Sequence, residues 1–243
     1  MSSGKYSALS GAMTRLKMMD SISDNLANSK TVGFKKSQVA FEAQLADAMA
    51  VRGDGIFSLT DIKEGFTDHS QGPFTRTEVP THVAIDGEGF FKVRDIEGNI
   101  FYTRQGNFHL DGGILTTALG MQVLGDNGKP IVLTSPDVVI DERGNIQIEG
   151  GEAIKLPIYA FSDDSVVERK GGGLFTVGEE DIKEFEELVT DPQIIQGQIE
   201  DSNVNMMQEM GRMIEATRAF EACQKALKNF TTLDNKAIEL GRI

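Results

Sequence analysis

The stretch Tyr6-Ser7-Ala8-Leu9-Ser10-Gly11-Ala12-Met13-Thr14-Arg15-Leu16-Lys17-Met18-Met19-Asp20-Ser21-Ile22-Ser23-Asp24-Asn25-Leu26 sets Tyr6, Leu9, Met13, Leu16, Met19, Ile22 and Leu26 at steps of three and four. That spacing puts them on one face of a helix with 3.6 residues per turn. The pattern ends near Asn28, and Gly33 follows as a stop signal. At the far end of the chain, Met213, Thr217, Phe220, Cys223, Leu227, Phe230, Ala237 and Leu240 recur, with Asp234 on the one polar rung. A helix from Val204 to Leu240 would be roughly 55 Å long at 1.5 Å per residue. Two narrow stripes repeating about every 3.5 residues predict that the terminal helices pair as a coiled coil. With Thr217 and Asp234 in the seam, such a pair is marginal and sticky until more helices join it. The expected assembly interface is Leu9, Met13, Leu16, Met19 and Leu26 at one end, and Met210, Met213, Phe220, Leu227, Phe230 and Leu240 at the other.

Between the helices the apolar period falls to two and turn residues multiply, which predicts an all-β middle built of hairpins. Phe90–Arg94 and Ile100–Thr103 flank Asp95-Ile96-Glu97-Gly98-Asn99, and residues 138–140 and 146–148 flank Asp141-Glu142-Arg143-Gly144-Asn145. Residues 121–124 and 131–133 flank Asp126-Asn127-Gly128-Lys129. Asp, Asn and Gly suit such turns because they tolerate positive φ. Residues 41–49 carry a short-helix pattern, and 53–72 read as an extended connector. The stretch from Gly171 to Pro192 reads as irregular, with a solvated acidic cluster at Glu179, Glu180, Asp181, Glu184, Glu186 and Glu187. The whole predicts an α+β chain: an N-terminal helix in 1–34, an extended stalk over 35–79, a β domain over 80–198 and a C-terminal helix in 199–243.

Composition excludes several functions. The 243 residues carry 37 acidic side chains against 24 Lys and Arg, a net charge of −13, which disfavours nucleic acid and anionic lipid as partners. No run approaches the roughly 18 apolar residues that span a bilayer, and Lys17 and Asp20 interrupt any secretory apolar core. The lone Cys223 forms no internal disulfide or Cys-rich zinc site. His69, His82 and His109 have no metal-ligand spacing. Gly87-Glu88-Gly89 follows an apolar run, but a third glycine is missing and Phe90-Phe91 opens a strand where a phosphate-binding helix would begin. The Asp-rich turns offer too few alternating ligands for an EF-hand. No carboxylate pair stands out for hydrolysis. No catalytic, cofactor or metal site is expected.

The end segments also carry motifs. Ser23-Asp24-Asn25-Leu26-Ala27-Asn28-Ser29-Lys30-Thr31-Val32-Gly33-Phe34-Lys35 and Glu200-Asp201-Ser202-Asn203-Val204-Asn205, followed by Glu209-Met210, Met213-Ile214, Arg218-Ala219-Phe220-Glu221 and Lys225, resemble the two end signatures of the axial proteins of the bacterial flagellar rod and hook. Gln71–Thr77, Ala84–Val93 and Tyr102–Phe108 are similar to the rod proteins in particular. The resemblance covers essentially the whole chain. It implies terminal helices packed concentrically in a tubular core, a stalk and an outer β domain. Its signature residues here are Asn25, Leu26, Ala27, Asn28, Thr31, Gly33, Phe34, Ser202, Asn203, Val204 and Asn205. The partners it implies are other rod subunits, further copies of the chain and the flagellar type III export apparatus. The site it implies is the basal body, reached without a cleavable signal. The run Gly120–Ile131 looks closest to the proximal-rod type, with the distal-rod type second. Two readings of other classes remain: a self-contained coiled-coil stalk with a β head acting as a binding module, and a hydrolase built on an unrecognised carboxylate pair.

Overall fold

The computed structural model describes residues 2–39, 41–45, 58–62, 65–147, 153–163 and 166–240. It is α+β, with long helices near both ends of the chain and many short strands between them. Helix α1 spans Ser2–Ala27, ending one residue before the Asn28 expected from the pattern. A second long helix, Met206–Leu240, has 35 residues and is about 52 Å long at 1.5 Å per residue. A short helix, Glu179–Phe185, lies between them. In chain order these are α1, α2 (Glu179–Phe185) and α3 (Met206–Leu240).

The chain divides into two compact units that do not follow sequence order. One comprises residues 1–27, 37–68 and 205–243, the other residues 28–36 and 69–204. In the first, α1 packs along α3, and strands Phe41–Leu45 and Ser58–Ile62 pair antiparallel from Phe41↔Ile62 to Leu45↔Ser58. The short helix that the sequence allows at 41–49 is therefore not formed over Phe41–Leu45, and residues 46–49 fall outside the described set. Phe41, Ala43 and Leu45 satisfy a period of two as well as a helical one, and cross-strand pairing decides between them.

In the second unit the central strand is Phe90–Arg94. Along one edge it pairs with Ile100–Thr103. Its start also pairs with Ile158–Phe161, and its end with Gln122–Val123. Successive side chains on a strand point to opposite faces, so Phe90 and Phe91 enter different cores. Phe91 and Val93 join Val83, Ile85, Phe108, Leu115 and Val123 in the larger cluster, whereas Phe90 meets Tyr102, Val167, Phe175 and Val177 in the smaller. The hairpin Phe90–Arg94/Ile100–Thr103 forms, as does Val139–Ile140 with Asn145–Gln147. The third turn closes through Gly125 N–H to Lys129 O (2.9 Å) and Ile131 N–H to Val123 O (2.9 Å). Only one of its arms, Gln122–Val123, is a strand.

The stretch read as irregular after Gly171 is ordered. Glu168–Gly171 and Leu174–Thr176 make a hairpin, α2 follows, and Glu186–Leu188 pairs with Ile158–Phe161. Glu186 departs from the expected solvated cluster. Its Oε1 accepts from Lys92 Nζ (2.6 Å) and from Tyr102 Oη (2.8 Å), and burial, reinforced by that carboxylate, pushes the Tyr102 pKa up.

The two Asp-x-x-Gly-Asn turns are built alike. Asp95 Oδ1 accepts from the Asn99 and Glu97 backbone N–H groups (both 2.9 Å), and Oδ2 from Asn99 Nδ2 (2.8 Å). Asp141 repeats this with Asn145 N–H (2.8 Å), Arg143 N–H (3.0 Å) and Asn145 Nδ2 (2.7 Å). The asparagine amides, helped by backbone N–H groups, hold both carboxyls below the usual carboxylate range. A carboxyl depressed in the folded state stabilises it above the unfolded pKa, and that stability is lost as pH falls through the folded value. Carboxyl titration by NMR should therefore find Asp95 and Asp141 ionised well below pH ~4, with Asn99→Ala and Asn145→Ala each returning its own partner towards the ordinary value.

Candidate assembly interface

In the helical unit, contacts run from one end of α1 to the other in reverse order along α3. Lys5 forms an ion pair with Asp234, Gly11 faces Cys223, and Thr217 Oγ1 reaches Met19 Sδ at 3.6 Å. The helices are therefore antiparallel. Their approach uses small residues: a Cβ on Gly4 would lie 2.8 Å from Phe230 Cζ, and one on Gly11 would lie 3.5 Å from Cys223 Sγ. Ala12, Ile22 and Ala216 are buried, and Met19, Leu26, Met213, Phe220, Leu227 and Phe230 are half-buried.

The large side chains of the predicted α1 stripe sit elsewhere. Tyr6, Leu9, Met13 and Leu16 are 44–63% exposed. On α3, Met207, Met210, Ile214 and Leu233 are 45–77% exposed. Within the single chain Leu9, Met13, Leu16 and Met210 are therefore not covered by the paired helix. Gly4 and Gly11, with buried Ala12, let the helices approach on this side of α1, and the bulky rungs lie on the other. Leu240 closes α3, with its side chain outside the described set.

The N-terminal signature has two tasks. Buried Asn25 reads the backbone of Ser37 in both directions: Nδ2 donates to Ser37 O and Oδ1 accepts from Ser37 N–H, each at 2.8 Å. Ala27, the last residue of α1, is exposed. Beyond it Thr31 N–H donates to Asn28 O (3.1 Å) and Phe34 N–H to Thr31 O (3.3 Å), making a compact turn. Gly33 has φ +66° and gives its N–H to Glu200 O at 2.7 Å; a Cβ there would lie 2.5 Å from the Arg104 carbonyl carbon. Phe34 is buried beneath the Arg169 guanidinium, whose carbon stands 4.0 Å from the ring centroid.

The C-terminal signature answers it. Asn203 Oδ1 accepts from Lys36 N–H (2.7 Å) while its Nδ2 donates to Ser70 O (3.0 Å). Ser202 and Val204 are buried, and Ser202 Oγ accepts from Val204 N–H (3.3 Å). Asn205 caps α3: its Oδ1 accepts from Gln208 N–H (3.1 Å).

One cluster was not anticipated. Glu200 Oε1 accepts from Lys35 Nζ at 2.6 Å and from Gly72 N–H at 2.9 Å, and Oε2 faces Arg104 Nη1 at 3.4 Å. Lys35 and Glu200 are each 1% exposed and Arg104 4%. Burial lowers the Arg104 pKa, and Glu200 opposes that shift. All three residues lie inside the sequence motifs. Their pairing joins positions 35, 104 and 200, which no local period reveals.

The histidines serve packing and hydrogen bonding. His69 meets Phe90 and Phe175 with centroids 5.7 Å apart, His82 Nδ1 lies 3.0 Å from Thr77 Oγ1, and His109 Nε2 lies 3.3 Å from Thr116 Oγ1. Among the described residues no three His, Cys, Asp or Glu side chains gather as metal ligands, and no helix is long and apolar enough to cross a membrane.

The chain is thus α+β, with paired end helices and motif residues bonded to backbone near both helices, and sequence comparison gives the family. Residues 6–35 match the flagella basal body rod protein family, residues 84–155 the flagellar hook protein FlgE/F/G D1 domain, and residues 195–240 the flagellar basal body rod FlgEFG protein C-terminal region. The chain belongs to the flagellar basal-body rod protein family. It is 32% identical over 251 residues to the flagellar basal-body rod protein FlgF of Caulobacter vibrioides, covering 100% of each chain. It is 31% identical to FlgF of Rhizobium meliloti (98% of each chain) and 30% identical to FlgG of Buchnera aphidicola (91% of this chain, 93% of the relative).

Removing one partner from a buried ion cluster leaves an uncompensated charge and costs about 3–5 kcal/mol. Urea denaturation should show a loss of that order for Glu200→Met. Asn25→Ala, which removes two hydrogen bonds from the half-buried Ser37 backbone while Ser21 Oγ still donates to its carbonyl (3.3 Å), should lose about 1–2 kcal/mol.

Proposed function

We propose that this chain is a structural subunit of the proximal rod of the flagellar basal body and not an enzyme, and that it polymerises through its terminal helices into a hollow drive shaft. The observation that carries the reading is the outward apolar face of both helices, Tyr6, Leu9, Met13 and Leu16 on α1 with Met210, Ile214 and Leu233 on α3. Each such side chain is about half exposed, so covering the rest contributes roughly 0.7–1.5 kcal/mol, and a repeated contact between copies gathers several such contributions. A heterologous repeat that does not close gives an open helical tube. In this reading α1 and α3 supply the core helices, residues 37–68, which fall in the same unit, the stalk, and the β-rich unit of residues 28–36 and 69–204 the outer domain. The remaining partners are neighbouring rod subunits and the export apparatus that delivers the chain to the periplasm-spanning rod.

The proximal assignment is supported by FlgF relatives that align over nearly the entire chain. FlgG relatives of similar identity support a distal-rod subunit as the second reading. The non-enzymatic reading is supported by relatives that are basal-body rod proteins.

The test is Met13→Asp with Ile214→Asp. Both sites are exposed, so the isolated chain should keep its unfolding midpoint, with a change within about 0.5 kcal/mol per site. Fractionated basal bodies should contain none of the variant. Normal incorporation would contradict the reading, and so would a stable discrete oligomer that needs no other rod subunit.

A further inference from the structure

The methionines whose side chains are described fall into two groups. Met18, Met19, Met121, Met206 and Met213 are half-buried, and two of their sulfurs accept hydrogen bonds: Met18 Sδ from Arg15 Nη1 at 3.7 Å and Met19 Sδ from Thr217 Oγ1 at 3.6 Å. Met13, Met207 and Met210 are 55%, 77% and 45% exposed, and all three lie in the helical unit. On α1, Met13 stands between the exposed Leu9 and Leu16. On α3, Met207, Met210 and Ile214 are spaced by three and four residues, so these exposed side chains share a face.

A thioether needs no deprotonation to act as a nucleophile, and it is oxidised where solvent reaches it. With hydrogen peroxide the sulfur lone pair attacks one oxygen: an S–O bond forms and the O–O bond breaks. The hydrogen on the transferred oxygen passes to the departing one, which leaves as water. Sulfur gives up two electrons and the peroxide takes them. The product sulfoxide puts a polar S–O group where an adaptable apolar contact stood. In the free chain that oxygen is hydrated, so the fold is undisturbed. Covered by another apolar helix face, it loses its water and meets no donor, and the penalty falls on assembly alone.

We propose that Met13, Met207 and Met210 form an oxidation site that gates assembly: a hydroperoxide converts them to sulfoxides in the unassembled subunit, and the rod does not take up the oxidised chain. Thiol-dependent reduction restores the subunit, the oxygen leaving as water while two thiols become a disulfide. The inference rests on the reading of the outward helix faces as the rod contact. The test uses cells that lack sulfoxide reductases and whose rod assembly is held off until an inducible rod component is supplied. The accumulated chain is given a brief pulse of hydrogen peroxide, the peroxide is quenched, assembly is started, and peptides from the pool and from purified basal bodies are compared by mass spectrometry. Sulfoxide at Met13, Met207 and Met210 should appear in the pool and be at least about tenfold depleted in the basal bodies. Any sulfoxide at Met121, which packs against the larger β core, should enter at its pool fraction. The purified full chain, oxidised at the three sites, should keep its thermal unfolding midpoint. Equal sulfoxide fractions in pool and basal bodies, no sulfoxide in the pool, the same depletion at Met121, or a lowered midpoint would each overturn the inference while leaving the rod reading intact. Absence of the untreated chain from basal bodies would instead defeat the rod reading, and the inference with it.

Discussion

Two helices that meet through small residues leave their large ones in water. Gly4 and Gly11 permit the close approach of α1 and α3. The consequence is a row of Met, Leu, Ile and Tyr side chains with nothing of their own helix pair to cover them. Exposed apolar side chains in such number are the kind of surface that a partner covers, and the proposed rod contact uses them. The ion pair of Lys5 with Asp234, partly exposed on both sides, contributes little to holding the pair together. Apolar contact with further helices is the stronger force available.

The β-rich unit depends on a second constraint, the burial of Glu200 among Lys35, Arg104 and the Gly72 N–H. Buried ion clusters rarely raise stability above that of an apolar replacement. Their value is specificity: Glu200 is satisfied only when residues from three distant parts of the chain are in register. Asn203, three positions on, adds a neutral version of the same principle by bonding the Lys36 N–H and the Ser70 carbonyl. Gly33 and Phe34 complete the arrangement, one by making room for the Arg104 backbone and the other by packing under Arg169.

Part of this was legible in the sequence. The apolar period at 6–26 gave both the existence of α1 and nearly its end, and the Asp-x-x-Gly-Asn turns gave two hairpins because their side chains close the turn locally. The direction each stripe faces was not legible. Small residues carry no hydrophobic signal, so Gly4 and Gly11 were silent although they lie on the side of α1 that meets α3. The strand Phe41–Leu45 was ambiguous because five residues fit either period. Lys35, Arg104 and Glu200 each sat inside a motif, yet a long-range ion cluster leaves no spacing to read. The roles of Asn25 and Asn203 were equally hidden, since a side chain that bonds backbone says nothing in sequence about which backbone it will meet.

The most direct measurement compares methionine oxidation by peroxide in the isolated chain and in purified basal bodies. Sulfoxide formation follows exposure, and Met13 and Met210 are 55% and 45% exposed in the single chain. If the outward helix faces are the polymerising surface, both methionines oxidise readily in the free chain and become protected by at least about tenfold on incorporation. Equal oxidation of Met13 and Met210 in the two states would contradict the account.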